Sequence, residues 1–81
     1  MPIAFVFITT DTAYMVQVLK RIRAIEGVEE AQMVYGVYDI VAKVKGDTIE
    51  KLKHTITEQI RRIDKVYTAI TMMVEEPERL D

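Results

Sequence analysis

The sequence predicts an α+β domain of order βαββαβ, a four-stranded antiparallel sheet with two helices on one face. Three observations predict it. The chain has 81 residues, enough for one domain and no more. It repeats itself at an offset of 38 positions. Each repeat runs from a β-branched and aromatic stretch, through a stretch with helical spacing, to a second β-rich stretch.

The repeat aligns without a gap. Ala4 meets Ala42, Val6 meets Val44, Thr10 meets Thr48 and Val18 meets Ile56. Ile22-Arg23 then meets Ile60-Arg61, Ile25-Glu26 meets Ile63-Asp64, and Val28 meets Val66. The shared pattern I-R-x-I-[E/D]-x-V is more specific than the apolar matches, which any two βαβ units would share.

In the first half, Ile3 to Thr9 reads as a strand. Thr10, Asp11 and Thr12 are candidate N-caps. Tyr14, Val18, Ile22 and Ile25 recur at helical spacing, and Met15, Val16 and Leu19 widen that face. Gly27 suits the residue after a helix end, and Val28 to Tyr35 reads as the second strand. In the second half, Val37 to Lys45 is a strand and Gly46 turns it. Asp47 and Glu50 have the spacing of a capping box. Ile49, Leu52, Ile56, Ile60 and Ile63 then form one helix face, opposite Glu50, Lys51, Lys53, Glu58 and Arg61. Glu58 and Arg62 are placed for an i,i+4 ion pair. Lys65 to Val74 is the last strand. The domain is expected over residues 1–75, followed by an acidic tail, 76–81, that contains Pro77. With a tight turn at Gly36 joining the halves, the order is that of the ferredoxin-like fold.

Composition narrows the partners. Net charge is -2, from 11 basic and 13 acidic residues, which gives no field to hold a phosphate backbone. There is no Cys and one His, so disulfides, thiolate metal sites and multi-histidine sites are excluded, and no cofactor is expected. No stretch approaches the roughly 18 apolar residues of a membrane helix. The opening apolar run lacks a basic leader and a cleavage site, so it reads as a strand. These features favour the cytoplasm. A domain this small is marginal alone, and oligomerisation is the staple left to it.

The strands point the same way. A sheet with helices on one face and water on the other alternates apolar and polar residues. Here Ile3, Phe5 and Phe7 point one way, and Ala4, Val6 and Ile8 the other. In the last strand Val66, Ile70, Met72 and Val74 are expected opposite Ala69 and Met73. Two apolar faces need two covers, and a second copy of the sheet is the simplest second cover.

The hairpin Val34-Tyr35-Gly36-Val37-Tyr38-Asp39 carries the chemistry. Gly36 suits a positive φ or a close approach. Asp39 enters an apolar strand, where a carboxylate needs a partner. It serves either as a cap for turn amides or as a receiver for a ligand ammonium group.

The G-x-Y-D sequence, Gly36-Val37-Tyr38-Asp39, followed by an apolar strand and a second βα unit, resembles the ligand-binding domain of the Lrp/AsnC regulators, which is known for regulation of amino-acid metabolism. The resemblance covers about Ile3 to Val74. It implies dimers packed sheet to sheet, gathered into rings, often octamers, with an amino acid bound between dimers. Carried over, the ligand-binding residues are Tyr35, Gly36, Val37, Tyr38 and Asp39, with Ala69 and Thr71 in the last strand. The family's T-x-T there reads Ala69-Ile70-Thr71, so one hydroxyl is replaced by a methyl. Full-length members carry an N-terminal helix-turn-helix for DNA. This chain opens on its first strand, so the resemblance implies a stand-alone effector domain, with full-length Lrp/AsnC regulators as possible partners and no direct contact with nucleic acid.

Other features have plainer readings. His54 and the Lys20, Arg21, Arg23 cluster read as solvated helix surface, and Met72 and Met73 as core. Small ferredoxin-like monooxygenases and isomerases, and ACT-type amino-acid-binding modules, share the expected fold. An enzyme would need an acid–base pair, and Tyr38 with Asp39 makes no obvious one, so no catalytic residue is assigned. A pure assembly module without a ligand is the remaining alternative.

Overall fold

A computed structural model describes residues 1–75, so the expected tail 76–81 lies outside the described residues. Four strands, β1 Ile3–Thr10, β2 Val28–Met33, β3 Ile40–Lys45 and β4 Val66–Met73, form one antiparallel sheet in the order β2-β3-β1-β4. Helix α1, Met15–Arg23, follows a single 3₁₀ turn at Thr12–Tyr14. Helix α2, Ile49–His54, continues as a π-helical segment, Thr55–Ile60. This is the expected ferredoxin-like arrangement.

The core lies between helices and sheet. Ala4, Val6 and Ile8 of β1 and Ile40, Ala42 and Val44 of β3 are buried on the helix-facing side. Val18, Leu19 and Ile22 of α1 meet them, as do Leu52, Ile56 and Ile60 of the second helical unit and Ile63 in the turn after it. The steps of four from Leu52 to Ile60 suit the wider turn, in which Arg61 N–H bonds to Ile56 O at 3.0 Å.

The repeat is a structural two-fold at the centre of the sheet. Phe5 and Lys43 are equivalent by the repeat and face each other across β1 and β3. The symmetry is lost at the edges. Ala31 faces Ala42, and its equivalent Ala69 faces Ile8, where strict repetition would put it opposite Ala4.

Several local expectations are corrected. The cap of α2 is Thr48, whose hydroxyl accepts from Lys51 N–H at 3.1 Å, and not Asp47. Thr48 has the extended backbone a cap requires, while Asp47 pairs with Lys51 at 3.6 Å one turn on. Tyr14, Val16 and Ile49 are exposed. Tyr14 sits in the 3₁₀ turn, under the ammonium of Lys65 at 4.8 Å from its ring. Val16 is two positions from buried Val18, on the opposite side of the helix. Ile49, in the first turn of α2, precedes the buried face. Met72 and Met73 are exposed rather than core, because β4 is an edge strand. The expected pair Glu58–Arg62 forms at 3.2 Å.

A bulge corrects the last strand further. Thr9 faces Thr68, but Thr10 faces Val66, so one extra residue of β4 is accommodated there. Val66 therefore turns to the helix side and packs against the core, away from Ile70 and Met72.

The open face divides in two. Phe5, Phe7, Ile70 and Met72 form an apolar half over β1 and β4. Over β2 and β3, Glu29 reaches Lys45 at 3.2 Å and Lys43 at 3.6 Å. The hydrogen bond from Lys45 holds the Glu29 carboxyl below the usual carboxylate range.

Gly27 shows how tightly the far end of the sheet is joined. Its carbonyl accepts from Lys45 N–H at 2.8 Å with φ at 102°. A Cβ at this position would lie 3.0 Å from Lys45 O. Gly27→Ala is expected to cost about 1–2 kcal/mol from the left-handed backbone alone. A thermal melt should show a drop of roughly 4–8 °C per kcal/mol lost.

Candidate functional site

The turn at Gly36 is wider than the tight turn expected. Strands β2 and β3 stop at Met33 and Ile40, leaving Val34 to Asp39 as the connection. It is closed by Val34 N–H donating to Asp39 O at 2.9 Å. Gly36 adopts φ 131°, the positive φ expected of it, with no atom near the position a Cβ would take.

Asp39 is anchored through three groups. Its N–H donates to Ile8 O at 2.9 Å, its carbonyl accepts from Val34, and its Oδ2 accepts from Thr10 N–H at 2.8 Å. The carboxylate thus caps the backbone where β1 leaves the sheet at the β4 bulge. Oδ1 makes no hydrogen bond among the described residues. The capping and ligand-receiving readings of Asp39 are compatible, because they use different oxygens.

The neighbours of Asp39 divide sharply. Tyr38 is half-buried, its ring tilted 52° against Phe7 with centroids 5.5 Å apart. Tyr35 and Val37 project into solvent, 105% and 85% exposed. An aromatic and a β-branched side chain fully in water have nothing within their own chain to pack on.

The last-strand residues lie apart from the hairpin. Ala69 faces Ile8, the residue that also faces Ile40, so β1 stands between Ala69 and the hairpin. Two strand spacings amount to roughly 10 Å. Ala69 is buried on the helix side. Thr71 faces Val6, further down the strand, and lines a 240 Å³ groove with Lys53, Ile56, Thr57, Arg61 and Met73. Within one chain, Tyr35 to Asp39 form one group, and Ala69 and Thr71 do not join it.

Different residues of β4 flank this end of β1. The Thr9 and Thr68 hydroxyls are 2.6 Å apart. The Tyr67 hydroxyl donates to Asp11 Oδ2 at 3.1 Å. That hydrogen bond to a carboxylate raises the Tyr67 pKa above its ordinary value. Asp11 N–H donates to Lys65 O at 3.1 Å, and Lys65 takes a positive φ of 77°. Sequence reasoning missed this polar cluster. Its side-chain pairs span 56 or more positions, and the one local sign was Asp11, read as a helix cap. Asp11 does cap, accepting from Ala13 N–H at 3.0 Å in the 3₁₀ turn.

Among the described residues, no group of three or more His, Asp or Glu side chains is placed to hold a metal, and no helix is long and apolar enough to cross a membrane.

Comparison with known proteins adds a family. The model of the Lrp/AsnC ligand binding domain matches residues 3–77. Among solved structures, FFRP-DM1 is 35% identical over 93% of this chain and all of that one, with a TM-score of 0.88. The hypothetical protein PHS023 from Pyrococcus horikoshii is 33% identical over 96% of this chain and 94% of its own, with a TM-score of 0.87. AsnC of E. coli is 25% identical over 99% of this chain, which spans 54% of AsnC, with a TM-score of 0.85. No curated protein sequence matches the chain.

The Asp39 carboxylate has a measurable structural share. Asp39→Ala removes the acceptor for Thr10 N–H and is expected to cost about 1.5–3 kcal/mol, the usual worth of a hydrogen bond to a charged group. Asp39→Asn keeps an acceptor oxygen and should lose less than half of that. Urea unfolding of the two variants checks the difference.

Proposed function

We infer that this chain, a member of the Lrp/AsnC ligand-binding domain family, acts as an amino-acid-sensing, oligomerising effector module of transcription regulation. The observation that carries the sensing role is the hairpin. It offers a half-buried carboxylate with one oxygen committed to Thr10 and the other open, beside a glycine that leaves its backbone bare. An α-ammonium group is the natural partner for that oxygen. The exposed Tyr35 and Val37 are suited to close over the ligand or against a neighbouring subunit.

Assembly follows from the open face. Its apolar half resembles the dry centre of a protein interface, and its half held by Glu29, Lys43 and Lys45 resembles a polar rim. A second copy laid sheet to sheet covers Phe5, Phe7, Ile70 and Met72. Such dimers gather into a ring, an octamer in our reading, which brings hairpins of neighbouring dimers together and gives Ala69 and Thr71 of one subunit a route to the hairpin of another. Full-length Lrp/AsnC regulators are the partners through which a ligand signal would reach DNA. Solved relatives support this direction. The transcriptional regulator NMB0573 of Neisseria meningitidis, which shares the fold at 14% identity and a TM-score of 0.81, is described as a complex with L-Met.

The test is calorimetric titration of the chain with each of the twenty amino acids, with light scattering alongside. At least one should bind saturably or shift the assembly. Asp39→Asn, which loses the charge and keeps the cap, should weaken that binding by about tenfold or more. Twenty blank titrations with an unchanged mass would leave a pure assembly module.

A further inference from the structure

The two edges of the sheet are closed by the same device. Arg23 Nε donates to Ala31 O at 2.9 Å, and Arg61 Nη2 donates to Ala69 O at 2.8 Å. Donors and acceptors are equivalent by the 38-residue repeat, and both acceptors lie on edge strands, β2 and β4. The arginine is the one in the repeated I-R-x-I-[E/D]-x-V pattern.

The ladder shows which way these carbonyls point. Antiparallel pairs alternate between hydrogen-bonded and non-hydrogen-bonded. Val34 bonds to Asp39, so counting back three pairs makes Ala31–Ala42 non-bonded. Val74 bonds to Ile3 at 2.9 Å, so counting back five makes Ala69–Ile8 non-bonded. The backbone groups of Ala31 and Ala69 therefore face out from the edges. Each guanidinium takes a carbonyl that an incoming strand would need.

The edges differ in what else protects them. β2 reads Val28-Glu29-Glu30-Ala31-Gln32-Met33, and an incoming strand would have to strip water from two charged side chains, Glu29 in its lysine pairs and Glu30. β4 is eight residues long, Val66-Tyr67-Thr68-Ala69-Ile70-Thr71-Met72-Met73, with no charge, Pro or Gly. That is the composition of a segment that pairs with copies of itself when its edge is free.

We propose that Arg61 is an assembly-specificity residue. By holding the outward carbonyl of Ala69 and setting a cation over an uncharged edge, it blocks strand-to-strand pairing of β4 with a second copy of this chain. Arg23 repeats the contact on an edge that Glu29 and Glu30 already protect, so it matters less. The proposal stands whether or not the chain binds an amino acid.

Methionine keeps most of the arginine stem and removes the donors and the charge. Arg61→Met, Arg23→Met and the parent are compared by light scattering over several days and concentrations, with circular dichroism to follow the fold. A labelled peptide of the β4 sequence is the binding probe. Arg61→Met should keep its dichroism, bind the peptide and grow to roughly twice the parent's mass or more, because each freed β4 edge pairs with another and joins two parent assemblies. Arg23→Met should stay near the parent. Thr68→Lys, added to Arg61→Met, puts a charge back on the edge and should return the mass to the parent's. An Arg61→Met chain of unchanged mass that ignores the peptide overturns the proposal. So does unfolding or growth that Thr68→Lys does not reverse, since that marks a damaged fold and not a freed edge.

Discussion

Strand β1 is apolar on both faces, and the rest of the molecule is arranged around that fact. Ala4, Val6 and Ile8 are buried under the helices, while Ile3, Phe5 and Phe7 line the open face. Burying apolar surface is worth about 25 cal/mol per Å², so a central strand with a wet apolar face leaves stability unrealised. In a domain of this size that matters, since its own core is small. The sheet order places β1 and β3 at the centre, where the internal two-fold passes through the Phe5–Lys43 pair. Phe5 on one side of the axis and Lys43 on the other are why the open face is half apolar and half charged.

The ends and edges of the sheet then decide what meets what. At the end of β1, Asp39 secures the backbone where the β4 bulge interrupts the ladder, so the hairpin is fixed to the central strand and not left to itself. A ligand that engaged Asp39 would act on a group already tied to the middle of the sheet. At the edges, arginines from the helical units occupy outward carbonyls. Open face, anchored hairpin and closed edges together favour one mode of contact between copies.

Much of the fold was legible in the sequence because it is written in short periods. Leu52, Ile56, Ile60 and Ile63 carry helical spacing, and Ile3 to Ile8 carry strand composition, so the elements and their order follow. Features set by distant partners were not legible. Val66 turns inward because of a bulge opposite Thr10, and nothing in strict alternation signals that. Thr48 displaced Asp47 as the cap although both residue types are good caps, the backbone having settled the choice. At the candidate site, Gly36 and Asp39 stood out locally, but the Thr10 amide that engages Asp39 is 29 positions away. Ala69 and Thr71 came from family resemblance, and within one chain a strand separates them from the hairpin.

The central claim is that the open face is covered by a second copy, and solution mass tests it most directly. Light scattering of the parent and of Ile70→Glu, an exposed change on that face, separates the outcomes. The account predicts at least twice the 9.4 kDa chain mass for the parent, and a folded species of lower mass for the variant. A parent that remains at the single-chain mass at all concentrations would contradict it, and the face-to-face assembly with it.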